Sequence, residues 1–213
     1  MAFTSYSGLR SSIKDWAERT SLSDDLVKDF VILAETIFNY GEKDESGGYL
    51  VRPVRVRDME TTAPITMTSG AGDLPTGFLE AIKVKDPGGT TRTIRYATPD
   101  WLDENYPSGQ DGTYPEFYTV IGTSLLCPID VSLTYYAAID TITGNDGAYN
   151  WLLTKAPSAY LYGGLMQYSI YNKNPEAAAG YRSLMINALG GLNTQDIMSS
   201  AGQYVRRAGM TAY

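Results

Sequence analysis

The residues best suited to chemistry are acids beside aromatics. Asp100, Asp103 and Glu104 stand next to Trp101 and Tyr106. Two carboxylates over an aromatic floor are the parts of a glycosidase, a reaction that needs no histidine. The same spacing has a plainer reading. Asp100 falls in the first turn of a short helix, where an acid complements the helix dipole, and Trp101 anchors that helix to a sheet. Apparent acid pairs are common in an acidic chain, and this one carries 24 Asp and Glu against 17 Lys and Arg. The plainer reading is therefore preferred.

Other chemistries lack their parts. The chain has no His, which removes Ser-His-Asp and Cys-His catalysis and the commonest metal ligand. Its one cysteine, Cys127, can form no internal disulfide and belongs to no zinc-type cluster; this fits folding in a reducing cytoplasm. Gly163-Gly164 and Gly190-Gly191 lack the Lys-Ser/Thr of a phosphate loop and read as sites of close helix packing. Asn145-Asp146-Gly147 lacks the ligand ladder of a calcium loop and reads as a turn. No catalytic residue, metal ligand or cofactor is expected, and the chain reads as a non-enzyme. Its net charge of -7 argues against gripping nucleic acid, which needs clustered Lys and Arg. The first residues lack a signal peptide's charged and apolar regions, and no apolar run approaches a membrane span.

The elements that would position these residues fall into three zones. Leu9, Ile13 and Trp16 recur at one helical face. Ser21 to Asp25 supplies cap residues and first-turn acids for a second helix over Leu26–Tyr40, with Gly41 as its stop. Glu42 to Gly48 reads as a polar loop. A β-rich zone follows. Strands are expected around Ile65 and Met67, over Phe78–Lys85, Thr91–Tyr96, Phe117–Ile121, Ser124–Cys127 and Val131–Ile139. Between them, Thr98 as N-cap and Pro99 at N1 predict a short helix. Helices return from Trp151: one opened by Pro157 and running to about Tyr171, the next opened by Asn174-Pro175-Glu176 and interrupted at Gly190-Gly191. Each helical zone is amphipathic and cannot bury its stripe alone. The expected fold is α+β, a helical bundle formed by N- and C-terminal helices with a central antiparallel β-rich insertion. The expected divisions are 1–48, 49–140, 141–198 and a C-terminal tail, 199–213.

Tyrosine is abundant, 17 against 5 Phe and 3 Trp. It suits either half-exposed strands or surfaces that are wet before assembly and buried after it. Ala156, Ala159, Gly163 and Gly164 are small at helical spacing, so another helix can approach closely, in the same subunit or in the next. The tail carries Tyr204, Arg206, Arg207 and Tyr213. A basic, aromatic end on an acidic chain suits an arm that docks on another surface, and Gly202 and Gly209 disfavour a long free helix there.

Several stretches carry a family resemblance. They are Arg55-Val56-Arg57-Asp58-Met59-Glu60-Thr61, Leu74 to Ala81, Thr98 to Leu102, Val131 to Ala137 and, most specifically, Asn150 to Leu165. In this order, over about Leu9 to Leu192, the chain resembles the head-to-tail adaptors of tailed bacteriophages, which are similar in architecture to tail tubular protein A. It departs from them where Gly41 to Val54 inserts a Gly-rich, acidic loop and where Gly77 replaces an acidic residue. The resemblance implies a structural virion protein. It would form a homo-oligomeric ring, a dodecamer, in the neck between the portal protein and a downstream tail protein. DNA would pass through the lumen without tight binding, and no membrane would be involved. Assembly would take place in the host cytoplasm, with the portal as the target of the tail arm. A receptor- or carbohydrate-binding virion module is the alternative.

Overall fold

The computed structural model describes residues 3–88, 92–110 and 112–208, with side-chain surroundings through Leu192. The chain divides into two compact units, Met1–Asp58 with Ile139–Tyr213, and Met59–Ala138. The first thus gathers helices from both ends of the chain. The second is the central β-rich region, and the class is α+β.

In the first unit, α1 (Tyr6–Trp16) buries Tyr6, Leu9 and Ile13. Trp16, expected on the same stripe, is 55% exposed and meets Tyr162 edge-on at 6.3 Å. α2 (Asp24–Tyr40) starts where the Ser23 hydroxyl accepts a hydrogen bond from the Leu26 N–H, with Asp24 and Asp25 in the first turn. Its core stripe is Val27, Phe30, Val31, Ala34 and Phe38, all buried, as the 3.6 period requires. Gly41 ends it at a φ of +77°, and a Cβ there would lie 2.7 Å from the Val51 carbonyl oxygen. That position admits only glycine.

The expected polar loop is partly a hairpin. β1 (Glu42–Lys43) pairs antiparallel with β2 (Tyr49–Val51). Its turn is closed by Asp44, whose carboxylate accepts from the N–H groups of Ser46 and Gly48. The Ser46 hydroxyl, which also donates to it, and these backbone bonds lower the Asp44 carboxyl from its ordinary value.

After the β region come α4 (Trp151–Lys155), α5 (Pro157–Tyr171) and α6 (Pro175–Ala208). α4 begins at Trp151, where helix is expected to return, and is one turn capped by Asn150, whose side chain accepts from the Leu153 N–H. α5 buries residues on most of its circumference, among them Ala159, Tyr160, Gly163, Gly164, Leu165 and Met166, as befits a central helix. α6 opens with Asn174 accepting from the Ala177 N–H. The expected break at Gly190-Gly191 is absent: the helix runs through both. A helical glycine costs about 1 kcal/mol, and the flanking Leu189 and Leu192 are buried, so packing outweighs propensity. The helical backbone also runs past Ser199 to Ala208.

The second unit holds β3 (Glu60–Ile65), β4 (Ala71–Asp73), β5 (Phe78–Lys85), β6 (Thr93–Tyr96), α3 (Pro99–Asn105), β7 (Phe117–Ile121), β8 (Ser124–Leu126) and β9 (Val131–Ala137). The strand order is β3-β9-β5-β6-β7-β8-β4. β6 and β7 are parallel and the other pairs antiparallel, so the sheet is mixed where an antiparallel one was expected. The parallel pair follows from α3, which lies between the two strands as a crossover. The first strand ends at Ile65, earlier than its composition suggested. Met67 has left the ladder, and its N–H donates to the Asp130 carboxylate.

β5 begins with a turn in which Phe78 N–H donates to the Pro75 carbonyl and Gly77 sits at φ +76°, the glycine position of a type II turn. This explains why glycine stands where the resemblance offers an acid. The core is Ile65, Val84, Ile94, Tyr118, Leu125, Cys127, Val131, Leu133 and Tyr135. α3 follows the expected span, but the Thr98 side chain makes no capping bond; its carbonyl accepts from Leu102 N–H instead.

Candidate functional site

The acids of α3 lie on the surface. Asp100, Asp103 and Glu104 are all exposed. Asp103 alone lines a cleft of about 480 Å³, beside Leu102, Thr119, Ile121, Leu126 and Cys127. A carboxylate acting as general acid needs a desolvated setting, and these side chains are exposed to solvent. Trp101 packs on Phe117 at 4.7 Å and on Tyr106 at 6.1 Å between ring centroids. It fastens the short helix to β7 rather than laying a floor under acids. Cys127, at the same cleft, is buried, and burial pushes its thiol up, away from the reactive thiolate.

Asn145-Asp146-Gly147 is a turn: the Asn145 side chain accepts from Gly147 N–H, and Asp146 pairs with Arg10 at 3.1 Å. Among the described residues no group of His, Cys, Asp and Glu could hold a metal ion.

The small residues lie inside the first unit. Ala156 and Ala159 are buried. A Cβ on Gly163 would come within 2.9 Å of Ala34 Cβ and 3.3 Å of Phe38 Cζ, and one on Gly164 within 2.6 Å of Ile13 Cδ1. These glycines therefore let α5 approach α2 and α1 within one chain. A Cβ on Gly190 or Gly191 would meet nothing within 4 Å, so the close packing expected at that pair is not there. Of the arm, Tyr204, Arg206 and Arg207 lie on the helical backbone of α6 with side chains outside the described residues, and Tyr213 lies outside them altogether.

Reasoning from sequence missed a buried polar network. Glu35 is 5% exposed. Its carboxylate accepts from the Ile142 N–H at 2.9 Å and from the Tyr160 hydroxyl at 3.2 Å. One turn on, the Asn39 side chain accepts from the Ile139 N–H at 2.9 Å. The Asn150 amide donates to the Tyr160 hydroxyl and to the Asp140 carbonyl, both at 2.7 Å. Two residues of α2, at i and i+4, thus hold the stretch 139–142 by its backbone, and Asn150 links that stretch to the start of α4 and to α5. Burial pushes the Glu35 carboxyl up, against its hydrogen bonds to Ile142, Thr141 and Tyr160. Burial also drives the Tyr160 phenol far up, with the nearby Glu35 charge adding to it. A sequence signal existed: Glu35 and Asn39 are polar residues four apart in a stretch of α2, 30–40, that is apolar save for them and Thr36.

The first unit also leaves large apolar side chains exposed. Ile32, Leu33 and Tyr40 are exposed on α2, and Ile170, Tyr171, Leu184 and Ile186 on α5 and α6. Against known families, residues 4–208 match the SU10 adaptor protein family, a family of phage head–tail adaptors. The chain belongs to this family. No curated protein matches it. As an SU10 adaptor it is a structural component of a phage virion, and membership agrees with the resemblance carried by Asn150 to Leu165. Asn150, Ala156, Ala159, Tyr160, Gly163 and Gly164 in that block are the adaptor's own internal packing and polar contacts. No helix among its described residues is long and apolar enough to cross a membrane.

Proposed function

We propose that this adaptor forms a ring of twelve copies in the neck of the virion, between the portal protein and the next tail protein, and extends the DNA channel through which the genome is ejected. The observation that carries the proposal is the family match across residues 4–208. In a ring, each subunit uses a head-to-tail contact that closes by rotation, and function is geometric: a lumen, a sealed joint and a platform. The basic, aromatic end of the chain, with Tyr204, Arg206, Arg207 and Tyr213, is the arm that docks on the portal. A net charge of -7 per copy multiplies around the ring, so DNA passes the lumen without sticking. The adaptor carries out no catalysis; the solvent exposure of the α3 acids supports that reading.

The decisive experiment mixes the purified chain with portal rings and follows it by sizing and imaging. Co-elution, with an added ring of density on one end of the portal, is the expected result. A chain that stays free at micromolar concentration beside intact portal refutes the role and favours a receptor- or carbohydrate-binding module. In the same preparation duplex DNA is not retarded at low salt. Host glycans and peptidoglycan are not cleaved, and cleavage lost in Glu104→Gln would overturn the non-catalytic reading.

A further inference from the structure

The first unit carries two grooves that the fold leaves open. One, of about 430 Å³, runs along α2 between Ile32, Thr36 and Tyr40 on one side and Ile139 and Thr143 on the other. It lies on the face of α2 turned away from the Val27, Phe30, Val31, Ala34 stripe. The other, of about 490 Å³, runs along α1 over Gly8, Ser12, Asp15 and Trp16, with Phe3 and Leu161 beside them. Gly8, Ser11, Ser12 and Asp15 fall off the buried Leu9–Ile13 stripe, with Trp16 at its edge. The two share no residue, as a head-to-tail contact requires of its two halves.

Each groove has a projecting aromatic at its rim. Tyr40 is 63% exposed on the first and Trp16 is 55% exposed on the second. The α1 groove is lined by Gly8, against which Phe3 packs, and by Ser11 and Ser12. Their charges are opposite. Lys28 is the ionisable side chain at the mouth of the α2 groove, since Glu35 at its floor is turned onto Ile142 and Tyr160. Asp15 is the charged residue of the α1 groove. Neither Lys28 nor Asp15 has an ion-pair partner among the described residues.

We infer that these grooves are the two halves of the contact between copies of this chain: the α2 face of one subunit seats Trp16 of the next, while its Tyr40 enters the neighbour's α1 groove, and Lys28 pairs with the neighbour's Asp15. This is ridge-into-groove packing of two helices, with the charge pair setting register and excluding the reversed, like-with-like contact. The inference rests on the ring reading above.

The test uses two charge reversals in the full chain, Lys28→Asp and Asp15→Lys, with circular dichroism melts to confirm that both fold. Each variant alone places like charges in every contact, and its self-association or ring formation on portal weakens by at least about tenfold. An equimolar mixture of the two restores opposite charges at every contact of an alternating ring, so assembly returns in the mixture alone. Normal rings from either folded variant, or a mixture no better than its components, overturns this contact while leaving the ring itself in place. A wild-type chain that forms no ring, alone or on portal, overturns the ring reading and this contact with it.

Discussion

Replacing Glu35 by leucine removes the acceptor for two buried donors, the Ile142 N–H and the Tyr160 hydroxyl. A buried donor left without a partner costs about 1–3 kcal/mol. Leucine is close in size and relieves the carboxylate's own desolvation, which offsets part of that loss. The net expectation is about 2–4 kcal/mol of lost stability, a large share of a typical domain's margin of about 5–15 kcal/mol. Glu35→Gln keeps an acceptor oxygen and the shape, so it stays within about 1 kcal/mol of wild type. The two variants also separate by pH. Burial holds the folded-state pKa of Glu35 above its ordinary value. Between those two values the folded chain binds more protons than the unfolded one, so this group's contribution falls as pH rises through that window and is level above it. Urea unfolding followed by circular dichroism, for wild type and Glu35→Gln at several pH values from 4.5 upward, isolates the effect. Other groups cancel in the difference, and wild type loses ground relative to Glu35→Gln as pH rises. A Glu35→Leu protein within about 0.5 kcal/mol of wild type would show that the network does not hold the 139–142 stretch. A wild-type minus Glu35→Gln difference that is flat, or that moves the other way with pH, would refute the buried-carboxylate argument.

Other expectations test single sites. Among the described residues the buried Thr119 hydroxyl has no hydrogen-bond partner, so Thr119→Val keeps the shape, removes an unsatisfied group and raises the melting temperature by an amount equivalent to about 1 kcal/mol; a lower melting temperature contradicts this. Gly163→Ala drives a methyl against Ala34 Cβ at 2.9 Å, and chemical denaturation should register a loss of about 1–3 kcal/mol. Gly164→Ala costs less, because its nearest neighbour is the free end of Ile13. Gly191→Ala meets nothing within 4 Å and stabilises by about 0.5–1 kcal/mol. Equal effects at all three glycines would refute the packing argument. Deleting residues 203–213 leaves the melting temperature nearly unchanged and weakens portal association, as does the double change Arg206→Glu with Arg207→Glu; a truncated chain that binds portal with full affinity shows that the arm lies elsewhere.

What the sequence determined by itself was local and periodic. The buried stripe Val27 to Phe38 of α2, the span of β5 and the proline-opened starts of α5 and α6 follow from side-chain period, caps and φ preferences acting over a few residues. The resemblance was read most specifically from Asn150 to Leu165 for a related reason: it is a contiguous run of small, aromatic and capping residues. Only the tertiary structure decided what depends on residues far apart in the chain. Whether Asp100, Asp103 and Glu104 share a pocket is such a question, since nearness along a short helix does not aim carboxylates at one point. Whether Gly163 or Gly191 touches a neighbour is another, because the same residue type serves close packing at one place and faces open space at the other. The pairing of Glu35 with Ile142 and Tyr160 spans 107 and 125 residues. A polar side chain on a helix reads as solvent-facing until the chain returns to bury it, and that return is a property of the fold.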